Sequence, residues 1–124
     1  MKRWLATIAF FLFVSLIIFL ADAGLAPGFF EWVQHTSGGD KVGHFVLIGG
    51  LALCLNLSLG CRKWCGLLAG SLIVVVLCTA EEFSQLLLGG RRHFDWLDLA
   101  ADYAGILVAG LAAQRIASSD GRSA

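Results

Sequence analysis

Four apolar runs, each long enough to cross a bilayer as a helix, are packed into 124 residues. They cover about residues 4–23, 42–59, 64–88 and 97–113. Roughly 17–25 such residues span ~30 Å of hydrocarbon, where backbone groups must be satisfied within their own segment. The runs do not alternate apolar with polar residues, which argues against a membrane barrel. Hydrophobic residues make up 58% of the chain and charged residues 15%, too little polar surface for a soluble domain of this length. The expectation is an all-α integral membrane bundle of four transmembrane helices, forming a single domain over residues 1–124.

Lysine and arginine set the orientation. With the N terminus inside, Lys2, Arg3, Arg62, Lys63, Arg115 and Arg122 fall on the cytoplasmic side, and Lys41, Arg91 and Arg92 on the other. This excess places both termini in the cytoplasm. The adjacent Arg91 and Arg92 go against the rule, which suggests a partner or a task for them. The first run also has the basic start and the Ala21-Asp22-Ala23 pattern of a cleavable signal. Its apolar stretch exceeds the ~7–15 residues of a signal core, so a retained helix is expected. Residues 23–40 hold the single proline, Pro27, and four glycines. They read as an outer loop with an interfacial stretch at Phe29, Phe30, Glu31 and Trp32, and residues 117–124 read as a short polar tail. A net charge of zero offers no basic field for nucleic acid. Cys54, Cys61, Cys65 and Cys78 sit in or beside apolar runs and read as small fillers rather than a disulfide framework. No role is assigned to the Cys61 and Cys65 pair.

Ionisable residues distant in sequence converge on one membrane face. Asp40, Lys41 and His44 head the second helix, and Glu81, Glu82 and Gln85 lie toward the same end of the third. Arg91, Arg92, His93, Asp95, Asp98 and Asp102 occupy the following loop and the start of the fourth. Lys41 and His44 are three residues apart, as are Glu82 and Gln85, so each pair shares a helix face. Asp95, Asp98 and Asp102 form an acidic stripe that Gly105 continues as a small surface. Gly105, Gly110 and the neighbouring alanines suit close helix packing. At ~1.5 Å per residue Asp102 lies about 6 Å deeper than Asp98, and an ionisable group at such depth is a functional candidate.

These residues carry a resemblance. Glu82-x-x-Gln85, then Gly90-Arg91-Arg92, then Asp98, Asp102 and Gly105 at six, ten and thirteen residues beyond Arg92, resemble the motif of the VanZ-like family of bacterial membrane proteins. Lys41-x-x-His44 resembles that family's upstream element, and the likeness spans residues 40–110. Asp102 stands where the family pattern has Asn, the small residue expected at 109 falls at Gly110, and the chain is short for the family. The resemblance implies four to five helices in the bacterial inner membrane and a link to the cell envelope. The family's namesake gives low-level resistance to teicoplanin, a lipid-bearing glycopeptide. No active-site roles come with it.

Three classes of function stay open. The first is an envelope protein that binds or modifies a lipid-linked or lipophilic ligand, such as an envelope precursor or a lipophilic glycopeptide. Arg91 or Arg92 would hold a phosphate or carboxylate, with His44 and Glu82 as acid and base. Asp98 and Asp102 would orient them or hold a divalent cation. The core of this cluster is Lys41, His44, Glu82, Gln85, Arg92, Asp98 and Asp102, flanked by Asp40, Glu81, Arg91, His93 and Asp95. There is no nucleophile motif, no cofactor is expected, and His44 with His93 does not define a zinc site. The second class is a proton-coupled transport component, the third a structural or assembly subunit. Membrane lipid is the one partner common to all three, and oligomeric state is left open.

Overall fold

The apolar runs fold into four long helices in a computed structural model that describes residues 1–36, 38–88 and 94–123. In chain order these are α1 (Lys2–Asp22), a short α2 (Pro27–His35), α3 (Gly39–Ser58), α4 (Ala69–Leu88) and α5 (Trp96–Ser123). A two-residue antiparallel pair, β1 (Lys63–Trp64) and β2 (Leu67–Leu68), joins α3 to α4. The fold class is therefore all-α, as the run lengths imply. Spans Lys2–Ala21, Gly39–Ser58, Ala69–Leu87 and Trp96–Gly121 are long and apolar enough to cross a membrane.

Three element boundaries differ from the sequence reading. Residues 27–35, expected as loop, form α2, with Pro27 in its first turn where a missing N–H costs nothing. The third helix begins at Ala69 rather than near 64, because Cys65 and Gly66 both take positive φ (53° and 82°) and turn the chain. Positive φ at both central residues is what a tight two-residue hairpin requires. A hydropathy window cannot detect such a turn inside an apolar run. The last helix continues to Ser123 instead of ending near 113, so the polar tail is helical. Its distal turns are tied to α1 by an exposed ion pair, Arg3 Nη2 to Asp120 Oδ2 at 2.9 Å.

Large apolar side chains point outward along every long helix, among them Leu12 (61% exposed), Val46, Val76 and Leu107 (67%). A surface this apolar belongs in lipid. The four tryptophans divide by level. Trp4 and Trp64 lie at the end of the bundle that carries the termini, Trp32 and Trp96 at the opposite end, and all four are exposed. Aromatic residues take those positions at the two membrane–water boundaries. The chain is a multi-pass membrane protein.

Inside, Val14, Leu51, Val74, Cys78 and Ile106 pack as one core. Cys78 serves there as the small filler expected of it. The α3 and α5 pair packs backbone against backbone. A Cβ on Gly49 would stand 3.0 Å from the carbonyl oxygen of Gly105, and a Cβ on Gly105 would run into the carbonyl oxygen of Phe45. At the terminus-bearing end the helices are fastened by buried polar groups. Asn56 Nδ2 donates to Ser71 Oγ (2.8 Å), while the Ser71 N–H donates to Asn56 Oδ1 (3.0 Å) and so satisfies one open amide in the first turn of α4. Thr7 Oγ1 lies 2.7 Å from Ser58 Oγ and donates to the carbonyl of Cys54.

Candidate functional site

The glycine contact between α3 and α5 fixes what happens one to two turns further along. With no side chains to hold the helices apart at Gly49 and Gly105, the start of α3 meets the start of α5 closely enough for direct pairing. His44 bridges two aspartates of α5: its Nδ1 is 2.9 Å from Asp102 Oδ1 and its Nε2 is 3.6 Å from Asp98 Oδ2. With the proton on Nδ1, the imidazole donates to Asp102. The other oxygen of Asp98 accepts from Lys41 Nζ, which also reaches Asp95 Oδ2 at 2.7 Å and Asp40 Oδ2 at 3.3 Å. Asp98 (6% exposed) and Asp102 (1%) are buried, so burial leaves them dependent on these partners.

The helix α4 contributes Glu82, which is wholly buried. His44, Glu82 and Asp102 each bring a donor atom within 4.8 Å of the others, as do Asp40, His44 and Asp98. Imidazole with carboxylates could hold a divalent ion at either triad. Gln85, placed in the core of the cluster from its spacing, donates instead to Glu81 Oε1 at 2.8 Å. Arg91, Arg92 and His93 lie outside the described residues. Gly105 packs against the backbone of Phe45, whereas a Cβ on Gly110 would face Leu68 and Ser71, nearer the other end.

Asp95 has a second duty besides pairing with Lys41. Its Oδ1 accepts the Leu97 N–H at 2.8 Å and its carbonyl accepts from Asp98 and Leu99, so it caps the start of α5. The hydrogen bond from Lys41, followed by that from the Leu97 amide, holds its carboxyl below the usual aspartate range. A depressed value in the folded state adds stability above the ordinary aspartate pKa, and this is lost as pH falls through the lowered value. Asp95→Ala is expected to cost about 1 kcal/mol through the cap. Asp95→Asn keeps the cap and should cost under ~1 kcal/mol, because its ion pair with Lys41 is solvent-exposed. Thermal unfolding in detergent checks both. The deficit of Asp95→Asn should shrink as the pH falls below the ordinary aspartate range toward the depressed value of Asp95, where the wild-type carboxyl loses its own charge.

Comparison with protein-family models, curated proteins and solved structures returns no match. The site is therefore read from its own chemistry. Beside the cluster lies a cavity of about 540 Å³ between α1, α2, α3 and α4. Its walls are largely apolar, with Val14 and Ile18 from α1, Leu47 and Leu51 from α3, and Leu77 from α4. Asp40, His44, Glu81 and Asp102 line it as well, so the polar cluster and the apolar chamber are continuous. This chamber is the feature that residue spacing missed, together with the contribution of Glu31 and Gly43 to its lining. Gly43 sits between Lys41 and His44 in sequence, the one signal that the cluster had room beside it.

Proposed function

We propose that this chain is a VanZ-like protein of the bacterial inner membrane that binds a lipid-linked or lipophilic ligand of the cell envelope. In this reading both termini face the cytoplasm and the polar cluster faces outward. The observation that supports it most is the continuity between the buried cluster and the apolar cavity, since His44 and Asp102 line the same chamber as Leu47 and Ile18. A site of that composition suits a molecule with one polar and one hydrocarbon part. The motif spacing around Lys41, His44, Glu82, Asp98 and Asp102 resembles that of the VanZ-like family, and this resemblance is what suggests the envelope and glycopeptides such as teicoplanin.

The test is native mass spectrometry of the gently purified protein, paired with teicoplanin susceptibility of cells that carry it. Wild type is expected to retain an envelope lipophile that survives detergent exchange, and His44→Ala to lose it while remaining folded. Cells producing wild type are expected to tolerate more teicoplanin than cells producing His44→Ala. A protein that retains nothing, with no difference between the two strains, refutes the reading. A structural role is the second reading, favoured by the way Lys41 ties α3 to the start of α5. It requires that cluster variants change stability alone and leave retention at the wild-type level.

A further inference from the structure

The chamber is roofed at one end and open along one side. The helix α2 lies across its end, where Phe30 and Val33 join the lining. This roof sits hard against the start of α3, since a Cβ on Gly39 would stand 2.6 Å from the Val33 carbonyl oxygen and 3.1 Å from Thr36 Cβ. The helices α1 and α4 both pack along α3 and scarcely meet each other. The chamber fills the space between them, with Leu47, Ile48 and Leu51 of α3 as its floor. Two lining residues on the facing helices are exposed, Phe11 (45%) on α1 and Leu77 (46%) on α4. They frame a slot toward lipid, because their neighbours Leu12 and Val76 belong to the apolar outer surface.

Depth decides which lipid reaches the slot. Phe11 lies eleven residues from Asp22 at the end of α1, and Leu77 eleven from Leu88 at the end of α4. At 1.5 Å per residue that is ~16 Å, about half of a ~30 Å hydrocarbon core. Leu51 and Val74, about 18 and 21 Å from the same end, close the bottom of the chamber. Among the described residues, none nearer the termini lines it. The slot therefore serves one leaflet, the one on the side of Lys41, His44 and Asp98.

We infer that an acyl-chain lipid resident in this leaflet loads the chamber sideways, its chain passing between α1 and α4 and its head staying at the level of His44 and Asp102. The inference rests on the reading of the cluster as a lipophile site and adds where the lipophile comes from. Passage through the slot takes a chain from hydrocarbon to hydrocarbon, so no apolar surface is wetted on the way. Passage under α2 would expose the chain to water and would have to part the contact between Gly39 and Val33. Leu77→Trp narrows the slot at an exposed position. Val76→Trp adds a ring at the adjacent residue, which is 66% exposed and outside the lining. Ser15→Phe blocks from the α1 wall and replaces Leu77→Trp if that variant does not fold.

The experiment uses the full chain in phosphatidylcholine nanodiscs doped with one of two photoreactive phosphatidylcholines. One carries a diazirine at the methyl end of an acyl chain, the other beside the ester. Labelled residues are mapped by mass spectrometry after illumination. The methyl-end probe is expected to label Leu51 and Ile48, which are buried from the surrounding lipid, and the ester probe Ile18 and Phe30. Leu107, exposed on α5, gives the reference for lipid at the outer surface. Leu77→Trp should lower labelling of Leu51 and Ile48 about tenfold relative to Leu107, as a ring forced into occupied space would, and Val76→Trp should leave it unchanged. Labelling of Leu51 and Ile48 that persists at the wild-type level in the blocked variant overturns the slot as the route. Methyl-end labelling at Ile18 with ester labelling at Leu51 overturns the choice of leaflet. Absence of chamber labelling by both probes overturns sideways loading, and the lipophile reading stands if the purified protein still retains its ligand.

Discussion

Gly105→Ala is expected to lower the stability of the bundle by about 1–3 kcal/mol, the range for overpacking a tight contact, although alanine is the better helix former by ~1 kcal/mol. The added methyl would meet the carbonyl oxygen of Phe45, with the carbonyl carbon 3.1 Å and the Cα 3.2 Å away. All three are backbone atoms of a helix, so no side chain can swing aside and the two helices must separate. Gly43→Ala is the matched control, since its new methyl enters open space, and it should be neutral or stabilising by up to ~1 kcal/mol. Unfolding of both variants in mixed micelles measures the difference. Equal stabilities would mean that α3 and α5 are not held at glycine contact. Separation should also reach the cluster, because Lys41 and His44 on α3 find their partners on or beside α5. Loss of ligand retention in Gly105→Ala is expected to accompany the loss of stability.

Asp98→Asn is expected to cost about 3 kcal/mol, near the lower bound for removing one partner from a buried ion pair. Asp98 is the shared acceptor: one oxygen takes Lys41, and the other lies against His44. Neutralising it leaves two cationic or donor groups facing an amide, one of whose atoms is itself a donor. The loss is held to the lower bound because Lys41 is a third exposed and keeps Asp40 and Asp95. Asp95→Asn, at the rim of the same network, should cost under ~1 kcal/mol. Pairing Asp98→Asn with Lys41→Met should recover part of the loss, since the unmatched charge leaves with the lysine. Thermal unfolding of the three variants settles it. If Asp98→Asn costs no more than Asp95→Asn, the network contributes nothing beyond what surface pairs do.

Legibility of the fold followed the scale of each feature. The four long helices were readable because membrane solvation acts on whole segments of about twenty residues, and 2–22, 39–58, 69–88 and 96–123 each exceed that or come close. The helix α2, with nine residues, is set by Pro27 and by an amphipathic face, signals too short to separate from a loop. The turn at Cys65 and Gly66 is a matter of two dihedrals and leaves no mark in hydropathy. At the site, the three-and-four spacing of Asp98 and Asp102, and of Lys41 and His44, correctly placed each pair on one helix face. Which acid meets which base was not legible, because it depends on the register between α3 and α5. That register is set by Gly49, Gly105 and the backbone of Phe45, a contact between positions that no local pattern connects. The chamber was invisible for the same reason: it is the space that four helices leave between them.

The uneven lengths of the helices have a consequence for where the bundle rides in a bilayer. Twenty residues of α3 or α4 reach about 30 Å, the thickness of a hydrocarbon core, whereas the 28 residues of α5 reach about 42 Å. Trp32 and Trp96 mark one boundary and Trp4 and Trp64 the other, so the surplus turns of α5, with Asp120 and its partner Arg3, project beyond the second. A thicker membrane would draw these turns toward lipid first, since the other three long helices have no turns to spare.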